Sequence, residues 1–109
     1  MSDALALKRL RLHLKLSRPL FARLMGCSER ALANWETGKP IQGIYKSHLN
    51  ELRKLYAELA EVAEPGSIGS WFTAPNGEFG GMKPIELIER GEMYRIWRMI
   101  FFLKSGMPA

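Results

Sequence analysis

Residues 17–38, SRPLFARLMGCSERALANWETG, contain the pattern that decides the fold. Apolar residues recur at helical spacing on both sides of the turn at residues 26–28, which predicts two short helices. Ala22 supplies a small side chain where the two helices should cross. The second helix begins at Ser28 and has an otherwise polar outward side. This is the layout of a helix-turn-helix, whose second helix enters the DNA major groove. The apolar positions are Leu20, Phe21, Leu24, Met25, Leu32 and Trp35.

The charges of the 109 residues are unevenly distributed. Residues 1–50 contain nine Lys or Arg and three acids, a net charge of +6. Residues 51–109 contain seven Lys or Arg and eight acids, a net charge of −1. A basic front half suits a partner that carries phosphate. Together with the helix-turn-helix pattern, it favours DNA binding over a basic surface kept for solubility.

Several classes of protein do not fit the sequence. The single cysteine, Cys27, fits a reducing cytoplasm and a packing role in the turn. Charges interrupt the N-terminal leucines, and no uncharged apolar run approaches the ~20 residues of a membrane span. Metal-ligand spacings, phosphate-binding glycine loops and nucleophile motifs are absent from the sequence, and His13 and His48 are expected to face solvent. We therefore predict a cytoplasmic protein that is no enzyme and has neither a metal site, a cofactor nor a membrane span.

Helical periodicity continues outside the central motif. Leu7, Leu10 and Leu14 predict a helix over residues 3–13. A long helix is predicted over residues 42–63, where apolar residues repeat close to a heptad, as a spacer under the second half or as a dimer helix. The repeating residues are Tyr45, Leu49, Leu52, Tyr56, Leu59 and Ala63, with Leu55 and Val62 beside them.

The run Glu64-Pro65-Gly66-Ser67 breaks the long helix and marks the one plausible internal boundary. A short helical turn is predicted from Ser67, a helix from Pro84, and a last helix over residues 92–104. Strand-like alternation is absent from the sequence. The predicted class is all-α, with an N-terminal helix-turn-helix bundle at 1–40, a connecting helix at 41–64 and a small C-terminal helical domain at 65–109.

The last helix has apolar residues on more than one side. Ile96, Trp97, Ile100, Phe101 and Leu103 form one predicted apolar side. The aromatic and methionine residues surround the helix more fully than a one-sided core needs. Such an excess suits a partner interface, but it equally suits a buried central helix of a small bundle. The residues concerned are Met93, Tyr94, Trp97, Met99, Phe101 and Phe102.

Residues 7–40 resemble the phage-repressor and Cro type of helix-turn-helix known as the Xre family. The resemblance rests on Arg11, Ser17, Ala22, Gly26 and the run Trp-Glu-Thr-Gly-Lys-Pro at 35–40, in which Pro40 comes one residue early. It implies an ion pair between Arg11 and Glu36. Both residues sit beside apolar faces, where a partly buried charge needs a partner.

The predicted DNA contacts divide into positioning and reading contacts. Arg18 is expected to touch a phosphate or the neighbouring base edge, and Ser28, at a helix N-terminus, suits a phosphate. Lys39 is either a contact to the DNA backbone or plain solvated surface. The expected base readers lie on the second helix, where Arg suits guanine and Asn suits adenine. One such domain buries little surface, so a homodimer is expected on a pseudo-palindromic operator with half-sites about 34 Å apart. The readers are Glu29, Arg30, Ala33 and Asn34.

Residues 71–88, WFTAPNGEFGGMKPIELI, form a distinctive segment. It combines an aromatic anchor, a Pro-Asn turn, a second aromatic, a double glycine and a Pro-started helix. Asn76-Gly77 suits a positive φ, and Gly80-Gly81 suits backbone shapes that a side chain forbids. The segment resembles the toxin-binding domain of the Xre/MbcA/ParS antitoxins. The match rests on Trp71, Pro75, Asn76, Phe79, Gly81, Pro84 and Leu87-Ile88.

The resemblance implies an antitoxin of a type II toxin–antitoxin pair, although the chain is short for this family. Its C-terminal half would neutralise a toxin, typically a RES-domain protein that consumes NAD⁺, and its N-terminal half would repress the shared operon. NAD⁺ is then the partner's substrate and not a cofactor of this chain. Expected toxin contacts are Arg95, Trp97, Arg98, Phe101, Phe102, Lys104 and the tail at 105–109.

Two other hypotheses stay open. The chain is also consistent with a stand-alone helix-turn-helix transcriptional repressor whose back half is a dimerisation module. A third hypothesis is an adaptor that has lost useful DNA affinity and binds only a protein partner. Salt-dependent binding to the chain's own upstream DNA separates the first two hypotheses from the third.

Overall fold

The computed structural model describes residues 3–106, and the regular structure of this range is entirely helical, without a strand. The predicted all-α class is confirmed. Two 3₁₀ turns, Pro65–Ser67 and Gly77–Phe79, precede the fifth and the sixth helix. The seven α-helices within 3–106 are α1 (Asp3–Leu14), α2 (Arg18–Met25), α3 (Glu29–Glu36), α4 (Gly43–Val62), α5 (Ile68–Thr73), α6 (Pro84–Glu89) and α7 (Met93–Ser105).

Local signals in the sequence set most of the helix ends. Ser28 caps α3 by accepting a hydrogen bond from the backbone N–H of Ala31 at 3.0 Å. Gly26 ends α2 in the left-handed conformation, with φ at 70°. Pro84 opens α6, where Glu86 accepts a hydrogen bond from the backbone N–H of Lys83 at 2.7 Å.

The chain divides between Lys54 and Leu55 into two compact units. The N-terminal unit contains α1–α3 and the first part of α4. Its core is aliphatic and aromatic, and the predicted leucine stripe of α1 is part of it. The buried side chains there include Leu7, Leu10, Leu14, Phe21, Met25, Leu32, Trp35, Leu49 and Leu52.

The C-terminal unit contains the second part of α4 together with α5–α7. Its core draws at least one residue from every helix and from the Gly77–Phe79 turn. The two buried residues of α7 are four positions apart, so only one narrow side of that helix is buried. The core side chains are Leu55, Leu59, Ile68, Phe72, Phe79, Ile85, Leu87, Ile96 and Ile100.

Helix α4 lies within the predicted connecting segment at 41–64 and contributes to both units, and the predicted division at 40 and 64 stays a prediction. Leu49 and Leu52 are buried in the first unit, and Leu55 and Leu59 in the second. The boundary between the compact units therefore lies inside the helix and not at its two ends. These four leucines are buried within a single chain, and the alternatives of a spacer helix and a dimer helix both stay predictions.

Candidate functional site

The outward side of α3 carries the predicted base readers. Glu29 and Arg30 are exposed, and Ala33 and Asn34 are half-buried. Leu32 and Trp35 point to the core of the same unit. Positions i, i+1, i+4 and i+5 fall on one side of a helix, so the structure brings the four predicted readers together on one face.

Arg18 and Ser28, predicted to contact DNA, lie at the N-termini of the two motif helices. Ser28 is exposed and begins α3, where free backbone N–H groups favour an anion. Arg18 is half-exposed at the start of α2. Lys39 is exposed just beyond α3. Their contacts with DNA stay predictions.

Glu36 joins α1 to the two helices of the motif, α2 and α3. Its side chain is 1% exposed and accepts hydrogen bonds from Arg11 at 2.6 and 3.0 Å, which places the predicted ion pair in the structure. Arg18 donates a further bond at 3.2 Å, which the sequence analysis did not predict. Burial favours a raised pKa for Glu36, but the hydrogen bonds and charges of both arginines outweigh it and lower the pKa below its usual value.

His48 joins α4 to the end of α2 beside the motif turn, so the prediction that it faces solvent is wrong. Its Nδ1 lies 2.9 Å from the carbonyl oxygen of Met25, and its ring meets that of Tyr45 edge-on. Tyr45 in turn packs on Trp35, with ring centroids 5.0 Å apart. Cys27 is half-buried in the same turn, and burial raises the pKa of its thiol, which fits a packing role.

Asn76 organises the loop between α5 and α6. Its side chain accepts a hydrogen bond from the backbone N–H of Glu78 at 2.9 Å, and its own backbone N–H donates to the carbonyl of Met82 at 3.1 Å. Asn76 has φ at −129°, so the positive φ expected at Asn76-Gly77 is wrong there. The positive φ values of this loop lie instead at Gly80 and Gly81, with φ at 65° and 88°. Asn76 itself precedes the 3₁₀ turn Gly77–Phe79 and has an extended backbone.

The aromatic residues of the loop form a cluster. Phe79 is buried, and Trp71 is half-buried with edge-on contacts to Phe72 and Phe79. The guanidinium of Arg95 lies over the ring of Phe79, 5.9 Å from its centroid. The loop therefore positions one of the predicted toxin contacts of α7.

Helix α7 is not the buried centre of its unit. Tyr94 is 57% and Phe101 62% exposed, and Arg98 lies exposed between them with its guanidinium over the ring of Tyr94. Phe101 and Leu103, expected on one apolar side with the core residues, are both exposed. The reason is that Ile96 and Ile100 alone complete the core, which leaves the remaining sides of the helix outside.

The other predicted toxin contacts differ in their surroundings. Trp97 and Phe102 are half-buried. Lys104 donates to Glu58 and also lies 3.1 Å from Glu61, so it ties the end of α7 to α4 within the unit. The hydrogen bonds to these two carboxylates raise the pKa of Lys104. Of the predicted tail, residues 107–109 lie outside the described residues.

Other kinds of site receive no support from the described residues. In the range 3–106, no three His, Cys, Asp or Glu side chains are arranged to hold a metal ion. Within the same range, no helix combines the length and apolar character that a membrane crossing needs.

Comparisons with known proteins support the antitoxin resemblance. The chain is 29% identical over 85 residues to the mycobacterial cidal antitoxin MbcA of Mycobacterium tuberculosis, a match that covers 77% of this chain and 75% of MbcA. It is 30% identical over 69 residues to a probable mycobacterial cidal antitoxin of the same organism, covering 63% of this chain and 59% of that protein. No model of a known protein family matches the sequence.

The fold is also shared with a solved structure. A chain of the crystal structure of the M. tuberculosis MbcT–MbcA toxin–antitoxin complex superposes with a TM-score of 0.77 and 26% sequence identity. The match covers 97% of this chain and 96% of that chain. The chain is therefore MbcA-like in sequence and over almost its whole fold.

Proposed function

We propose that the chain is the antitoxin of a type II toxin–antitoxin pair. The observation that carries the proposal is the exposed aromatic surface of α7 in a chain whose whole fold is MbcA-like. Large exposed apolar side chains gathered on one helix of a small protein are typical of a partner site. The proposed role is binding and neutralisation of a toxin, and not catalysis.

The C-terminal unit is the proposed toxin-binding part. Tyr94, Arg98 and Phe101 follow each other at i, i+4 and i+7 along one outward side of α7. Tyrosine, phenylalanine and arginine are the residue types enriched in the cores of protein interfaces. Trp97 and Phe102 flank this side. Lys104 belongs to the same end of the helix, but its ion pairs with α4 give it a positioning role for α7.

The proposed toxin is a RES-domain protein that degrades NAD⁺. This part of the proposal is supported by the resemblance of residues 71–88 to the toxin-binding domain of the Xre/MbcA/ParS antitoxins. NAD⁺ is then consumed by the partner, and this chain needs no cofactor.

The N-terminal unit is the proposed DNA-binding part, and its target is the operator of the shared operon. The support is the polar outward face of α3 together with the net charge of +6 over residues 1–50. We propose a homodimer on a pseudo-palindromic operator, since a single motif of this size covers only one half-site.

Co-expression with the protein of the neighbouring gene tests the antitoxin function. We expect that protein alone to stop growth and to deplete cellular NAD⁺, and both effects to disappear when the chain is co-expressed. The two proteins should also co-purify in a fixed ratio. The stand-alone repressor would be favoured by two results together: the protein of the neighbouring gene does not stop growth, and the chain purifies only as a homodimer that binds its own promoter.

Arg30→Ala is expected to cost about 1–3 kcal/mol of operator binding and to relax specificity at one base pair. The physical reason is that the exposed guanidinium of Arg30 is suited to a bidentate contact with guanine. Titration of wild-type and single-base-substituted operators at fixed salt measures both effects. Arg9→Ala, the same charge loss on the exposed side of α1, is the control and should leave specificity unchanged. An equal loss on every sequence would make Arg30 a phosphate contact.

A further inference from the structure

A groove in the C-terminal unit runs between α7 and the Gly77–Phe79 turn. It encloses about 430 Å³, within the size range of sites that hold a small ligand or a few side chains. Its lining is of two kinds. Phe79, Met99 and Phe102 give it an apolar wall, whereas Arg95, Arg98 and Glu78 are charged.

Aromatic rings hold both arginines of the groove. The guanidinium of Arg95 lies over Phe79 and also donates to Glu92 at 2.9 Å. That of Arg98 lies over Tyr94 at 5.8 Å, and its residue is exposed. A ring face attracts the cation but accepts few of the five N–H groups in the guanidinium plane. Arg98 thus contacts the Tyr94 ring, while its planar guanidinium remains suited to a carboxylate.

The charge of the groove contrasts with that of its surroundings. Residues 51–109 carry a net charge of −1, yet two arginines meet here beside one glutamate. Arg95 is already paired with Glu92, which also pairs with Arg90, so Arg98 is the groove arginine that is left for an incoming carboxylate. A groove that sets the exposed Arg98 beside an apolar wall suits a ligand that is both acidic and apolar.

We propose that this groove binds a segment of the toxin in which an Asp or Glu stands beside an aliphatic or aromatic side chain. The carboxylate pairs with Arg98, and the apolar side chain packs between Phe79, Met99 and Phe102. The inference rests on the proposed antitoxin function and adds to it the chemistry of the toxin segment that is recognised.

The test is a charge reversal at Arg98, measured as binding to the neighbouring gene's protein by titration calorimetry. Arg98→Glu should weaken binding at least about 30-fold, because one partner of a desolvated charge pair is reversed. The loss should be recovered by an Asp→Arg or Glu→Arg change at one acidic position of the toxin. Arg53→Glu, an equal charge change on an exposed position of α4, is the matched control and should bind like the wild type.

Other outcomes overturn the inference in distinguishable ways. Wild-type binding by Arg98→Glu would leave the antitoxin function in place and remove the groove from it. An oligomeric state of the free chain that changes with Arg98→Glu would make the groove an interface between two copies. Failure of the unmodified chain to bind the neighbour would overturn the proposed function and, with it, the groove's assignment. Thermal unfolding of Arg98→Glu should match the wild type, since the side chain is exposed.

Discussion

Replacing Glu36 with alanine is expected to lower the free energy of unfolding of the N-terminal unit by about 3–5 kcal/mol. The Glu36 carboxylate is almost fully buried and holds Arg11, whose side chain is only 19% exposed. Removing the carboxylate leaves this guanidinium inside the unit with the two donors that met Glu36, Nε and Nη2, unpaired, and breaking an ion pair in this way is costly. Urea unfolding followed by circular dichroism measures the change.

Two further variants separate the ion pair from other effects of the substitution. Glu36→Gln keeps the volume and part of the hydrogen bonding, so it should cost less than alanine and remain folded if Glu36→Ala does not. Glu29→Ala removes an exposed glutamate from the same helix and should cost less than about 1 kcal/mol. An unfolding free energy of Glu36→Ala within about 1 kcal/mol of the wild type would contradict the structural role assigned here.

The stability that Glu36 contributes should depend on pH. Its pKa is lowered in the folded chain, so this stability is fully present above the pKa of the unfolded state and is lost as the pH falls through the folded pKa. The difference between wild type and Glu36→Gln should therefore shrink below about pH 4.3, the unperturbed value for glutamate. Urea unfolding of both proteins between neutral and acidic pH measures this difference, and a constant difference would contradict it.

Helix positions could be predicted from the sequence because their signals are local. Ser28, Gly26 and Pro84 each act on the turn in which they stand, and the helix bounds fall within one or two residues of expectation. The leucine stripe of α1 was equally visible, because its spacing of three and four residues is that of one helix face.

Contacts between distant residues were less predictable. The Arg11–Glu36 pair followed from a family resemblance, but the bond from Arg18 to Glu36 and that from Lys104 to Glu58 join residues 18 and 46 positions apart. The periodicity of apolar residues does not predict which distant polar side chains will pair. His48 was missed for the same reason, since only the folded chain places it beside the carbonyl of Met25.

The composition of α7 allowed a core helix or an interface helix, and only the packing separates them. Ile96 and Ile100 are the only buried residues of its described part, Met93–Ser105. The sequence shows that α7 has further apolar residues. Which of them face the core depends on where α5, α6 and the Gly77–Phe79 turn pack against the helix. The DNA-reading and toxin-binding roles remain predictions, because sequence and geometry place the residues without the ligands.

Phe101→Asp is expected to weaken toxin binding by at least about 100-fold and to abolish rescue of growth. The Phe101 ring is 62% exposed and lies beside Phe102, with ring centroids 5.6 Å apart. Covering such a ring by a partner removes apolar area from water, whereas an aspartate at the same position must be desolvated. Titration of the neighbouring gene's protein and growth during its co-expression measure the two effects.

Leu12→Asp is the matched control, because Leu12 is 65% exposed on α1 in the other unit. Both substitutions replace an exposed apolar side chain with a carboxylate, so neither should change the free energy of unfolding by more than about 0.5 kcal/mol. A selective loss of toxin binding by Phe101→Asp then assigns the outward side of α7 to the toxin. Equal binding by the two variants would mean that Phe101 is exposed without a partner, and the toxin site would have to lie on another surface of the C-terminal unit.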